Sequence, residues 1–224
     1  MPNARHLAQD LPSDYPSSYE SVITLADGRQ VQIRPILPSD APELAEAIHT
    51  ADAETLRTRF LGGPPPLTDA TLDTLTRVDY SSRFALAAFS QGLGVAIARY
   101  ATPAPTGTGS VGADVAVAVA PRWRRVGLSR ALVDRLARRA QECGITEFTA
   151  LFNAGNRPVT KLAHEGSARV VIAEGVARLD ASLTSPHPDW PIISDRSEDP
   201  RQKLKGLTPR SSDSGLYAVI AGCT

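Results

Sequence analysis

Residues 121–132, PRWRRVGLSRAL, place Arg122, Arg124, Arg125 and Gly127 directly ahead of an apolar stripe at helical spacing: Leu128, Leu132, Leu136, Ala140 and Cys143. The first N–H groups of a helix have no acceptor within the helix, and the aligned peptide dipoles make that end partly positive. A phosphate is the kind of ligand such an end suits. Gly127 lets an anion approach the backbone without a Cβ in the way, Ser129 is small and offers a hydroxyl, and Arg124 and Arg125 supply charge. An ordinary helix start with surface arginines is the plainer reading of the same residues. A rival loop, GTGSVG at 107–112, spells G-x-G-x-x-G, but it opens the alternating run ADVAVAVA. A dinucleotide fingerprint needs its glycines to open a helix, so this segment reads as a solvated connection.

The run after it holds the second group of chemical interest. With a period of two, Val115, Val117 and Val119 share one face of a strand, and Asp114 shares the other with Ala116, Ala118 and Ala120. A row of small side chains leaves room for something to lie on that face. A carboxylate at its head is unexpected, because Asp is depleted in strands. It reads either as a working carboxylate or as an exposed Asp at a strand end.

The elements that must position these groups follow from the local patterns. YESVITL and RQVQIRPI alternate on either side of Ala26-Asp27-Gly28 and predict a hairpin. PSDAPELAEAIHT predicts a helix capped by Asp40, with Glu43 completing a capping box and Leu44 and Ile48 on one face. AETLRTRF and TDATLDTLTRV are helical and are separated by the breaker GGPPPL. FALAAFS and LGVAIARYA are strands around Gln91-Gly92. After the helix that Gly144 closes come a strand EFTALF, a short helix NRPVTKLAHE and a strand-like ARVVIAEGVARLD. Residues 1–18 are polar with Pro, Ser and Asp, and about Ser182 to Ser214 is rich in Pro, Ser, Asp and Arg, so 1–18 is expected to be a flexible arm and 182–224 a mostly disordered tail around one domain, 19–181. The apolar GLYAVIAG near the end of the chain is expected at most to dock as an edge strand.

Composition narrows the partners. Lys and Arg total 24, as do Asp and Glu, so net charge gives no bulk attraction to nucleic acid or to a membrane surface. Any anion binding must be local. The two cysteines, Cys143 and Cys223, form neither a zinc cluster nor a disulfide framework, which fits a reducing, cytoplasmic compartment. No apolar run approaches the roughly 20 residues of a membrane helix. No metal site is predicted, and a monomer or a homodimer is expected.

Taken together, Arg124-Arg125-Val126-Gly127-Leu128-Ser129 in a strand–loop–helix setting resembles the [QR]-x-x-G-x-[GA] loop through which the GNAT superfamily of N-acetyltransferases binds acyl-CoA. The resemblance covers about Tyr19 to Asp180. IRPILPSDAPEL is similar to the family's opening strand and helix, and NRPVTKLA to its later helix, whose leading Asn, here Asn156, often meets the cofactor. RFLGG and LTRVDYSSRFALAAF further resemble the bacterial branch that acetylates protein lysines, including its cyclic-nucleotide-regulated members, although no cyclic-nucleotide domain is visible. Ser129 stands where Gly or Ala is usual, and Val126 where a second basic residue is frequent. Ala163 stands where a Tyr commonly protonates the departing thiolate, and Ser167-Ala168 replaces the usual Gly-Phe.

The resemblance implies an α/β fold with a mixed, mostly antiparallel twisted sheet flanked by helices. It also implies acetyl-CoA as cosubstrate, with an amine as acceptor. A protein lysine is preferred. A small amine, such as a polyamine, an aminoglycoside or an amino acid, is the alternative, and a CoA-binding interaction module a third. A lysine of pKa about 10.4 is only about a thousandth neutral at physiological pH, so a base must take its proton. In the lysine-acetylating branch a Glu nine residues before the aromatic matched by Trp123 is that base. The matching residue is Asp114, a shorter carboxylate suited to act through a water. The backbone of Val117 to Val119 would pair with the pantetheine arm as an added strand does, and the resemblance implies the splayed strands that make space for it. Asn156 is read as an N-cap, a cofactor ligand, or both. His164 is either an acid or a solvated helix-face residue, while Cys143 is expected in the core and Trp123 beneath the loop.

Overall fold

The computed structural model describes residues 11–51, 66–103, 112–166 and 168–183. Among these, eight strands form one sheet in the order β1-β2-β3-β4-β5-β6-β8-β7: β1 (Ser21–Thr24), β2 (Gln30–Pro35), β3 (Arg83–Ser90), β4 (Leu93–Ala101), β5 (Gly112–Val119), β6 (Glu147–Asn153), β7 (Arg169–Ala173) and β8 (Val176–Ser182). Every neighbouring pair is antiparallel except β5 with β6. The helices are α1 (Ala41–His49), α2 (Asp69–Thr76), α3 (Leu128–Glu142) and α4 (Arg157–Glu165). The expected mixed, mostly antiparallel α/β sheet is the one observed.

Two turns form as the glycines require. Gly28 takes φ +84 between β1 and β2, and Gln91-Gly92, both at positive φ, join β3 to β4 with Ser90 opposite Leu93. α3 buries Leu128, Ala131, Leu132, Leu136 and Ala140 beside Val95, Ala96 and Ala98 of β4. Its end is sealed by Gly144 at φ +76, where Ile145 N–H reaches Ala140 O and Gly144 N–H reaches Gln141 O. Cys143 packs half-buried against this core, as expected. On the opposite face α1 and α2 bury Leu44, Ile48 and Leu75 together with Ile36, Ala85, Ile97 and Ala118.

Four expectations need correction. Asp40 and Glu43 do not form a capping box on α1. Asp40 makes no side-chain cap there, and its carboxylate instead takes both Arg34 Nη atoms (2.8 and 2.6 Å) and Leu37 N–H (2.8 Å). Glu43 reaches across to Gly94 N–H (2.7 Å), tying α1 to the β3–β4 turn. ARVVIAEGVARLD is two strands, because Glu174 and Gly175 both take positive φ and reverse the chain, and β8 inserts between β6 and β7. The arm expected over 1–18 is not wholly detached: Tyr15 packs edge-on to Tyr80, with ring centroids 5.6 Å apart, and donates to Glu20 (2.9 Å). Finally, Ala116, Ala118 and Ala120 do not line free space. All three are buried, and Ala118 is covered by the α1–α2 layer, so of that row Asp114 alone is exposed.

AETLRTRF, most of GTGSVG, Ser167, GLYAVIAG and Cys223 lie outside the described residues. β8 runs to Ser182, one residue beyond the expected boundary, and Leu183 is buried against the main core.

Candidate active site

The site begins where two parallel strands part. β5 and β6 pair over only three rungs, Gly112 with Glu147, Ala113 with Phe148 and Asp114 with Thr149. Beyond that rung β5 stays paired with β4 through Val119, and β6 with β8 through Asn153, but not with each other. Ala120 N–H bonds Val95 O on β4 (2.9 Å), and in an antiparallel ladder alternate residues point the same way. The N–H and C=O groups of Ala118 and Ala116 therefore also face β4, while those of Val115, Val117 and Val119 face the open side. The valine side chains meanwhile pack on the α3 core. The result is an unpaired strand edge, which an extended amide-bearing ligand can complete. From Asp114 to Val119 it runs roughly 17 Å, at about 3.3 Å per residue.

The loop that opens α3 lies at the far end of this edge. A single turn over Pro121–Trp123 leads to Arg125 at φ 61 and Gly127 at φ 90, and Gly127 is the N-cap of α3 without any side-chain cap. A Cβ at Gly127 would meet no heavy atom within 4 Å, so the ground beside the helix start is open. Leu128 is buried and anchors the helix, Ser129 and Val126 are half-buried, and Arg125 is exposed. Arg124 turns back on the strand, its Nε donating to Val119 O (3.1 Å). That carbonyl is engaged, so of the two valines nearest the loop the Val117 carbonyl and the Val117 and Val119 N–H groups remain as open strand positions.

Because β5 and β6 are parallel, both end at the same end of the sheet, and the helices that follow them, α3 and α4, start from that end. Asn156 is the N-cap of α4, its Oδ1 accepting from Val159 N–H at 3.4 Å. Its amide NH₂ is a donor directed by the same anchoring. Of the two readings of this residue, the capping one is realised.

At the fork itself Asp114 is exposed, and its Oδ1 accepts a hydrogen bond from Thr149 Oγ1 (2.5 Å). Thr149 was not singled out in the sequence; its partnership depends on the register of two strands 35 residues apart. Asp180 faces Thr149 on β8 and holds Arg178 at 2.8 Å. The position of the usual acid is closed: Ala163 is buried with Phe152, Ala177 and Leu179 beneath α4. His164 is exposed on α4. Trp123 packs against the main core below the loop, as expected. Among the described residues no group of three or more His, Cys, Asp or Glu is placed to hold a metal. No described helix is long and apolar enough to cross a membrane.

Known proteins are similar to this chain in sequence and fold. The sequence matches the family model of the acetyltransferase (GNAT) family over residues 51–165. An acetyltransferase of Pseudomonas aeruginosa is 30% identical over 145 residues, which cover 63% of this chain and 76% of that protein. Among solved structures, the GNAT domain of S. lividans PAT superposes with a TM-score of 0.67 at 27% identity, covering 75% of this chain and 99% of the domain. YncA of Salmonella typhimurium, determined with acetyl-CoA, shares the fold at 19% identity and a TM-score of 0.57, over 71% of this chain and 98% of its own.

Proposed function

The chain belongs to the acetyltransferase (GNAT) family, and on that premise we propose that it transfers the acetyl group of acetyl-CoA to the side-chain amine of protein lysines. The observation that carries this reading is the parting of β5 from β6 just beyond Asp114, with the Gly127 loop at one end of the open edge and a carboxylate at the other. A donor gripped by its phosphates at the loop needs an arm of that length to bring its thioester to Asp114. The α3 N-terminus, the Gly127 backbone and Arg125 hold the pyrophosphate, with Val126, Leu128 and Ser129 shaping the loop. Val117 and Val119 pair with the arm, and the Asn156 amide donates to it. Arg124 fixes the loop to the strand end.

In the reaction the amine nitrogen attacks the thioester carbonyl carbon, a C–N bond forms, the C–S bond breaks and CoA leaves as the thiolate. The amine proton passes to the Asp114 oxygen not used by Thr149, directly or through one water. An alkyl thiol of pKa about 8.5 departs from such a carbonyl without a dedicated acid, consistent with a buried Ala163 at the usual acid position.

Three observations favour a protein over a small amine. Asp114 is exposed. On the same face of the sheet Leu151 and Val171, 59% and 47% exposed, lie either side of Arg178, a partly apolar exposed surface among the described residues. The PAT neighbour and the sequence resemblance point the same way. Mass spectrometry after incubation with acetyl-CoA and either a protein mixture or an amine panel tests the assignment. Acetylated lysines support it, and turnover of small amines alone overturns it.

A further inference from the structure

The β1–β2 turn touches the loop before α3 at three places. Arg29 Nη2 donates to Arg122 O (3.0 Å), and the Arg29 guanidinium lies over the Trp123 ring, 3.9 Å from its centroid. Ala26 N–H reaches Val126 O (3.3 Å), the carbonyl immediately before Gly127. The turn is itself preset. Asp27 accepts from Arg29 Nε (2.6 Å) and from Arg29 N–H (3.1 Å), and Leu25 closes the reversal through Arg29 O (2.8 Å) and Gly28 N–H (2.9 Å). Gly28 at φ +84 allows it.

These contacts fall on Arg122, Trp123 and Val126, the backbone that leads into Arg125 and Gly127 at positive φ. A loop of that conformation has to be held, because outside glycine the left-handed region costs about 1–2 kcal/mol per residue. From above, Arg124 ties the loop to Val119 O; from below, the hairpin turn supports it. We infer that Arg29 is a positioning residue for acetyl-CoA binding: stacked on Trp123 and bonded to Arg122 O, it holds the loop so that its amides are aimed at the pyrophosphate before the ligand arrives. The inference rests on the acetyl-CoA reading of the site. A preset loop spends no binding energy on ordering itself, so losing the clamp weakens the grip on the phosphates without altering the thioester end of the cleft.

The experiment compares two donors. Acetyl-CoA meets the loop, whereas S-acetylpantetheine carries the thioester and the arm but no phosphate. Arg29→Ala is expected to raise the Kd for CoA by about tenfold, the combined worth of one charged hydrogen bond and one exposed cation–π contact. It is expected to raise the KM for acetyl-CoA in parallel, with kcat at saturation and kcat/KM for S-acetylpantetheine unchanged. Arg29→Lys keeps the cation but not the planar fork, and should fall between the two. A merely structural role would lower Tm and penalise both donors alike, and that result overturns the inference. So does a folded Arg29→Ala whose Kd for CoA stays within about twofold of the wild-type value. Should Arg29→Ala not fold, Arg29→Lys carries the same comparison. If the wild-type protein itself fails to bind CoA, the acetyl-CoA reading falls and the clamp with it; binding by the wild type with no effect of Arg29 removes the clamp alone.

Discussion

Thr149 Oγ1 lies 2.5 Å from Asp114 Oδ1, across the last rung on which β5 and β6 are paired. One residue further the strands have parted, so the hydroxyl fixes one carboxylate oxygen at the point where they divide. Asp114→Asn should leave CoA affinity nearly unchanged, because the carboxylate has no place at the phosphate end, and should lower kcat by roughly 10² to 10⁴. The defect should shrink as pH rises toward the pKa of the acceptor amine, where more of the substrate arrives neutral. An Asn variant with wild-type turnover at pH 7, both substrates saturating and chemistry limiting, would show that the proton leaves by another route.

Thr149→Val keeps the β-branched shape and removes the hydroxyl. If orientation of Asp114 is its contribution, kcat should fall by about tenfold, the worth of one hydrogen bond to a charged group, while Kd for CoA and Tm hold. Thr149→Ser should recover most of the loss. Steady-state kinetics and calorimetry on the three proteins decide it.

At Gly127 two effects must be separated. With φ at 90, any side chain strains the loop, so a single substitution cannot report on charge alone. Gly127→Gln and Gly127→Glu share the strain. The Gln variant should bind CoA more weakly than wild type, and the Glu variant about tenfold more weakly still, because a carboxylate then stands beside the α3 N-terminus in the anion's place. Equal affinities for the two variants would count against an anion at this helix end.

The Arg34–Asp40 pair holds the start of α1 to β2. Its side chains are 18% and 11% exposed, and the guanidinium also lies 4.3 Å from the centroid of the Phe89 ring. Asp40→Ala removes three hydrogen bonds and leaves a largely buried cation unpaired, so it should cost roughly 3 kcal/mol in urea unfolding.

Glu43 gives a pH-dependent test. Burial holds its carboxyl above the ordinary 4.5, the Gly94 N–H pulls it down, Asp40 adds to the rise and Arg34 opposes it. The folded protein therefore binds this proton more tightly than the unfolded chain. Stability contributed by the group is greatest below 4.5, and it is lost as pH rises from there through the folded value. Glu43→Gln keeps an acceptor for Gly94 and removes the ionisation. It should be more stable than wild type at pH 7, by about 0.5 kcal/mol once partial exposure is allowed for, and the difference should vanish near pH 4 or below. Thermal melts across that range read the sign.

The parts legible in the sequence were those written in a local period. The α3 stripe, the glycine that ends it, the alternation of β5 and the two glycine turns depend on neighbours a few residues away, and each appears where the pattern put it. The reversal at Glu174-Gly175 was not read, because its glycine lies inside an apolar run whose alternation a single strand accounts for equally well. Which side of β5 is usable was not a local matter. The alanine row looked open because small side chains leave space, and α1 and α2, whose packing no strand pattern records, fill that space.

By itself the sequence determined the loop, the helix it opens and the carboxylate at the head of a strand, which follow from backbone preference and side-chain periodicity along one stretch of chain; the family was read from the resemblance of its motifs. Only the tertiary structure decided that β5 and β6 part after Asp114, that Thr149 stands opposite it, and that Arg29 supports the loop from 93 residues away. Register between strands and the seating of a turn on a distant ring are set by minimising exposed apolar surface and unpaired polar groups over the whole domain, and no short segment encodes that balance.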